Sequence, residues 1–320
     1  MQKKIVVIFP GQGSQIVGMG NDIYNNFKVA KDVFDEVDDS LNINLSKIIF
    51  EGPESELTHT PNTQPALMTV SIALVRIIEE KLKKNISQFS DIIFGHSLGE
   101  YSALCSLGAI NLKETASLLR IRGKAMQNSV ENIQTKMIAV IGLDISQIEE
   151  ILEYKNLSEN EVCEIANDNC PGQVILSGTK VGVEIISEEL KKQGARSLID
   201  LKVSAPFHCK LMQNASSIMK DSLESIKFNN LQTKFISNVT ANFEDDLVFI
   251  KDLLVKQVCS RVRWRESVEK AAIKCNTIVE IGSGKVLTGM NKRIKKDLEL
   301  FNISNSDDID KFLNTYGDVL

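Results

Sequence analysis

Cysteine is scarce: six occur among 320 residues, and no two form a CxxC pair. That density excludes a disulfide scaffold and suits a reduced, cytosolic compartment. Histidine is scarcer still. His59, His96 and His208 lie far apart, with no HExxH and no Cys/His cluster. A structural zinc site is therefore not expected. No apolar run approaches the ~20 residues that a membrane-spanning helix needs. The opening run Ile5–Phe9 is too short for the apolar part of a signal peptide, and no small-residue cleavage site follows. The mature chain is expected to start here, in the cytoplasm. Excess charge of one sign is also missing: 37 basic residues stand against 42 acidic ones, a net charge of -5. This balance offers no general attraction to nucleic acid or an anionic membrane. What remains is ordinary for a soluble globular chain, 43% hydrophobic and 25% charged. The length allows one large or two modest domains with a sizeable core.

Along the chain, apolar strands alternate with helical patterns. Ile5–Phe9 reads as a buried strand ending at Pro10-Gly11, and Asn62–Lys83 as a helix with Pro65 in its first turn. Ile92–Phe94 is a second strand, followed by a helix over Leu98–Leu107. Asn111 and Glu114 form a capping box for a helix over Leu112–Gln127. The middle changes rhythm. Strands at Met137–Ile141, Val162–Ala166, Gln173–Ser177 and Ser197–Leu201 interleave with helices at Ser146–Tyr154 and Val181–Gln193. The order βαββαβ is that of a ferredoxin-like unit, inserted into a larger α/β one. The division expected is 1–132 with 202–320 for the large subdomain, and 133–201 for the small one. A looser alternation then resumes: a helix near Leu211–Ser225, a strand at Lys234–Ser237, helices over Phe249–Ala272 and a strand at Thr277–Ile281.

Three Gly-rich loops invite functional readings. Gly11-Gln12-Gly13-Ser14-Gln15 fails as a dinucleotide fingerprint because Ile16 stands where GxGxxG needs glycine. It fails as a P-loop because Met19 follows Gly18. Gly284-Lys285 fails too, with Val279 where the first P-loop glycine belongs. The first loop then serves either as a tight strand-to-helix turn or as backbone N–H groups facing an oxyanion. The third loop, Gly95-His96-Ser97-Leu98-Gly99, is a GxSxG motif between a strand and a helix, the setting of a nucleophile elbow. Ser97 would present its Oγ above the sheet, and the Leu98 N–H at the helix start could stabilise an oxyanion. The alternative is a purely structural turn. A serine nucleophile needs a base. His96 lies inside the elbow and points away from Ser97, while His59 sits in a polar surface stretch. His208 follows the turn Ser204-Ala205-Pro206-Phe207, 111 residues after Ser97, and the order Ser then His suits an elbow enzyme. A lone histidine can equally be structural, but no other base is available.

Taken together, six motifs carry a resemblance. They are Phe9–Gln15, Gly95–Tyr101, Arg122-Gly123-Lys124-Ala125-Met126, Asn167–Gln173, Ala205-Pro206-Phe207-His208 and Glu280–Leu287. In order and spacing they resemble the malonyl-CoA:acyl carrier protein transacylases, over about residues 3–297. The resemblance implies an α/β-hydrolase-like large subdomain with a ferredoxin-like small one. It implies ping-pong transfer: Ser97 attacks malonyl-CoA with His208 as base, and the carrier protein's phosphopantetheine thiol takes the malonyl group from the serine ester. The oxyanion would be held by the N–H groups of Gln12 and Leu98. Arg122 would hold the malonyl carboxylate, which suits its planar, permanently charged fork, although Arg120 and Lys124 beside it also allow a solvated face. Asn167 and Phe207 would contact substrate, and Phe207 and Leu98 resemble the malonyl-selective version. In place of an acidic third member, a backbone carbonyl near Arg263 would orient His208, and here Cys259-Ser260-Arg261 departs from the usual turn. No cofactor or metal is expected, and a monomer is.

Four functions compete on this reading. The first is malonyl transfer in fatty acid synthesis. A hydrolase shares the nucleophile but not the acceptor, and Arg122 and Gln12 weigh against it. A polyketide acyltransferase differs in its carrier protein. A non-catalytic binding module is disfavoured because every catalytic position is filled. The basic run Lys285, Lys292, Arg293, Lys295 and Lys296 either docks an acidic carrier protein or offsets a helix dipole.

Overall fold

Short apolar runs without alternation make strands buried on both faces, which helices must then cover. The computed structural model describes residues 5–130, 133–203 and 205–320. Ser204 and part of the expected boundary at 132/133 lie outside the described residues. Strands β1 (Val6–Phe9), β2 (Ile92–Gly95), β7 (Lys234–Ile236), β8 (Phe243–Glu244), β9 (Thr277–Ile281) and β10 (Glu299–Ile303) form one sheet in the order β10-β9-β1-β2-β7-β8. All pairs are parallel except β7 with β8. β1, β2 and β9 are buried along their whole length.

Strands β3 (Thr135–Ile141), β4 (Cys163–Cys170), β5 (Gln173–Thr179) and β6 (Ser197–Asp200) form a second, antiparallel sheet in the order β4-β5-β3-β6. With helices Ile145–Tyr154 and Lys180–Lys192 this is the ferredoxin-like βαββαβ arrangement. Period-2 alternation divides its strands between two cores. Ile138, Val140, Val174 and Leu176 pack with Ile148, Ile151, Val183 and Ile186 of those helices. Met137, Ala139 and Ile175 face the other way and join the main core.

Two of the expected elements differ in ways that bear on the site. The helix expected from Asn62 starts at Thr60, so Pro61 takes the first-turn position and Pro65 lies in the interior. Proline there has no N–H for the Pro61 carbonyl, and Arg120 Nη1 donates to that carbonyl instead, at 3.3 Å. The strand expected to end at Ala166 runs on to Cys170. Its polar extension Asn167-Asp168-Asn169 is buried because it bonds on both edges. One edge pairs with β5. On the other, Val262 N–H donates to the Ala166 carbonyl at 2.8 Å and Asp168 N–H to the Val262 carbonyl at 2.9 Å. Arg265 closes the join with a bidentate grip on buried Asp168, the bonds running 2.9–3.2 Å. The small sheet is thereby fastened beside the C-terminal ends of β1 and β2, where α/β folds place their sites.

Candidate active site

β2 passes into helix Gly99–Ser106 through a turn so tight that a Cβ on Gly95 would lie 2.1 Å from Gly99. A Cβ on Gly99 would in turn lie 2.4 Å from the Phe9 carbonyl oxygen. Both glycines of the elbow are thus required by sterics. Ser97 between them sits at φ 54°, a conformation that costs a non-glycine residue roughly 1–3 kcal/mol. Asn238 holds it there: its Oδ1 accepts from Ser97 N–H at 2.7 Å, and its Nδ2 donates to the Gly95 carbonyl at 2.7 Å.

Ser97 Oγ lies 2.8 Å from His208 Nε2. His208 Nδ1 lies 2.8 Å from the Gln257 carbonyl oxygen. A carbonyl only accepts, so Nδ1 carries the proton and the Nε2 lone pair faces the serine. This corrects the expectation that the carbonyl of Arg263 orients the histidine. Arg263 is the N-terminal cap of helix Trp264–Ala272, and its carbonyl accepts from Ser267 N–H at 3.0 Å and Ser267 Oγ at 2.8 Å. Burial, then the nearby Arg122 charge, push His208 down to about 3, so it is neutral at ordinary pH.

Arg122 arrives through a helix crossing. A Cβ on Gly123 would lie 2.7 Å from Pro61, so helix Leu112–Asn128 packs directly on helix Thr60–Leu82 at that point. The contact carries Arg122 into the interior, only 1% exposed, which excludes the solvated-face alternative. Its Nη1 donates to Gln64 Oε1 at 2.8 Å; its Nη2 donates to Gln257 Oε1 at 2.9 Å and to Ser97 Oγ at 3.2 Å. The guanidinium also lies 5.8 Å from the centre of the Tyr101 ring. Among the described residues no carboxylate is in ion-pair contact with it.

These groups open into a cleft of about 340 Å³ between the two sheets. Gln12 and Leu98 line it beside Ser97, and neither backbone N–H has a hydrogen-bond partner among the described residues. Phe207 and Asn167 line it as well, together with Met126 and Met137. Such a site can activate a serine, receive an oxyanion and hold an acid beside the reacting carbon. Of the other two histidines, His96 lines the cleft but is not bonded to Ser97. His59 is exposed, and His96 Nε2 bonds Asn169 Oδ1 at 3.0 Å.

Sequence reading missed Gln257, Asn238 and Gln64, none of which stands in a recognisable motif. It quoted Glu100 in a motif but assigned it no role. The signal for Glu100 was a carboxyl group inside the apolar helix Leu98–Leu107. Glu100 is fully buried, and burial pushes its carboxyl up to about 8 against the pull of its hydrogen bonds and Arg122.

The acyl transferase domain family matches residues 6–302. The malonyl CoA-acyl carrier protein transacylase of Bacillus subtilis is 40% identical over 313 residues, 98% of this chain and 97% of that one. The chain belongs to the malonyl-CoA:acyl carrier protein transacylase family. Solved structures of the family agree in fold. An acyl-carrier-protein-S-malonyltransferase from Bartonella henselae superposes with a TM-score of 0.94 at 46% identity, covering 98% of this chain and 99% of that one. A malonyl-transacylase in complex with a type II PKS acyl-carrier protein superposes with a TM-score of 0.92 at 36% identity, covering 98% and 100%. Transacylase membership covers both sheets and every cleft residue named above.

Proposed function

We propose that this chain transfers a malonyl group from malonyl-CoA to the phosphopantetheine thiol of acyl carrier protein, in cytoplasmic fatty acid synthesis. The observation that carries the reading is the buried guanidinium of Arg122, 3.2 Å from the Ser97 hydroxyl and, among the described residues, with no carboxylate in ion-pair contact, Glu100 acting on it only at longer range. A charged group in that setting calls for an anion, and the anion must belong to the acyl group bound at the serine. His208 Nε2 takes the Ser97 proton as Oγ attacks the thioester carbonyl, and the N–H groups of Gln12 and Leu98 receive the oxyanion. Coenzyme A leaves as the thiol, with the proton returned by His208. The carrier's thiol then gives its proton to His208 and attacks the malonyl-serine ester; the bond from the acyl carbon to Ser97 Oγ breaks, His208 returns the proton to the serine oxygen, and malonyl-carrier leaves as the thioester. Asn167 and Phe207 line the same cleft and would contact the substrate there. Every residue used comes from one chain, so the reading needs no second copy and no nucleic acid. Among the described residues no helix is long and apolar enough to cross a membrane.

The test is kcat/KM for malonyl-CoA and acetyl-CoA, with carrier protein as acceptor, in wild type and Arg122→Ala. Wild type should prefer malonyl. The variant loses a charge-assisted bidentate contact of roughly 1.5–3 kcal/mol, so malonyl transfer should fall ~10–100-fold. Acetyl transfer should hold or rise, and Arg122→Lys should recover only part of the loss. An equal drop for both substrates would make Arg122 structural.

Carrier docking would use the cations beside the cleft. Val286, Leu287 and Met290 of helix Val286–Ile294 line it; Lys285 immediately before this helix, Lys292 in its last turn and Lys296 just past its end are exposed. Arg293 is already engaged, donating to Gln173 Oε1 and to the Pro171 carbonyl, both at 2.7 Å. Added salt should slow transfer to carrier protein far more than transfer to free pantetheine. Equal salt sensitivity of the two acceptors would remove this part of the reading.

A further inference from the structure

Glu100 joins the two arms of the site. One carboxyl oxygen accepts from the backbone N–H of Asn238, and the other accepts from Gln257 Nε2. The first arm clamps the elbow, because the Asn238 side chain grips Ser97 N–H and the Gly95 carbonyl. The second arm is the Gln257 amide, whose two ends have different jobs. Its Nε2 donates to Glu100 and to the Ser97 carbonyl, the latter at 3.0 Å; its Oε1 accepts from Arg122 Nη2 at 2.9 Å.

An amide can be turned over with almost no change of shape, so something must decide which end faces Arg122. Glu100 presents only acceptors toward Asn238 and Gln257. Both of its oxygens are taken up in this way, one by the Asn238 N–H and the other by Gln257 Nε2. With an acceptor at Glu100, the Nε2 end of Gln257 must face it. The Oε1 end then faces the guanidinium. Turned over, the amide would set N–H against N–H at Arg122 and oxygen against oxygen at Glu100.

We propose that Glu100 is a specificity-positioning residue: by fixing the Gln257 amide with its oxygen toward Arg122, it holds the guanidinium in the setting that selects an acyl group bearing a carboxylate. The proposal rests on the reading that Arg122 receives the malonyl carboxylate. Glu100 touches neither the substrate nor Ser97 Oγ, and its effect passes through Gln257. The histidine is not on this path, because its partner is the backbone carbonyl of Gln257 and not the amide.

Glu100→Gln makes the decisive change at constant size. Its NH₂ group must oppose one of the two donors that Glu100 accepted, so the Gln257 amide loses the carboxyl acceptor that fixes its Nε2 end and is left with the Ser97 carbonyl alone on that side. The experiment is kcat/KM for malonyl-CoA and acetyl-CoA in wild type, Glu100→Gln, Glu100→Asp, Gln257→Met and the Glu100→Gln/Gln257→Met double variant. The malonyl-to-acetyl ratio should fall by about tenfold or more in Glu100→Gln and in Gln257→Met. Glu100→Asp keeps two acceptors and should lose less. In the Gln257→Met background, adding Glu100→Gln should change the ratio by less than about twofold, because the element that carries its effect is gone. Equal loss on both substrates in Glu100→Gln would make Glu100 mere scaffold and overturn the proposal, as would additive losses in the double variant. Should Glu100→Gln fail to fold, an unchanged ratio in Gln257→Met overturns it equally. A wild type without preference for malonyl would bring down the underlying reading of Arg122, and this inference with it. A wild type with that preference and an unchanged ratio in Glu100→Gln would bring down this inference alone.

Discussion

Ser97→Ala abolishes the malonyl-enzyme adduct and drops transfer by on the order of 10⁶-fold, the scale seen when a nucleophilic serine is removed. The expectation follows from the elbow. Ser97 Oγ is the hydroxyl that both His208 Nε2 and Arg122 Nη2 reach, at 2.8 and 3.2 Å. Alanine removes the only atom that can form the ester, and a two-step transfer has no route around it. The fold should survive, because Asn238 bonds the backbone at this position and not the side chain. The check is mass spectrometry after mixing with malonyl-CoA. Wild type should gain one malonyl group on the peptide containing Ser97, and the alanine variant none, with melting temperatures close together. A persistent adduct in the variant would place the nucleophile elsewhere.

His208→Ala should cost ~10²–10⁴-fold in kcat/KM, the ordinary contribution of a positioned base. The pH dependence is the sharper test. A base works in its neutral form, so protonation of His208 inactivates the enzyme. Burial and the Arg122 charge push His208 down to about 3, far below the ordinary ~6.5. Wild-type activity should therefore not follow a histidine titration near 6.5, and its loss to His208 protonation should come only as pH falls toward 3. Stability carries the same signature. Between about 6.5 and 3 the unfolded histidine takes a proton that the folded one refuses, so stability falls as pH drops through that window. His208→Ala should flatten that part of the slope in denaturant titrations. An acid limb centred near 6.5 in wild type would mean that His208 is neither buried nor next to the arginine.

The elbow was legible because its cause is local. A strand, a turn with glycines two residues either side of Ser97, and a helix are all recorded in consecutive residues, and the steric reason for Gly95 and Gly99 holds in any such turn. The βαββαβ rhythm was legible for the same reason: apolar periodicity over 5–10 residues reports which face each element buries. The strand through Asn167-Asp168-Asn169 was not. The expected strand stopped at Ala166, before these polar side chains, and it is the pairing with β5, the backbone bonds to Val262 and the Arg265 grip on Asp168 that make them a buried strand.

Arg122 marks the boundary between the two kinds of information. Its neighbours Arg120 and Lys124 allowed a solvated face, and no local pattern could exclude it. The crossing of two helices at Gly123 and Pro61 buries Arg122 beside Ser97. The orienting carbonyl shows the same limit, since carbonyl groups are identical in every residue. Whether Gln257 or Arg263 meets His208 depends on where helix Leu247–Gln257 ends against the turn holding His208. By itself, then, the sequence singled out Ser97 as the candidate nucleophile, His208 as the candidate base by scarcity of histidine, and the two-part α/β architecture, because each is written in short-range pattern or composition. Only the tertiary structure decided which carbonyl orients the base, that Arg122 is buried, and that Glu100, Asn238 and Gln257 hold the site in register. Those depend on hydrogen bonds between residues up to 160 positions apart, for which no local pattern exists.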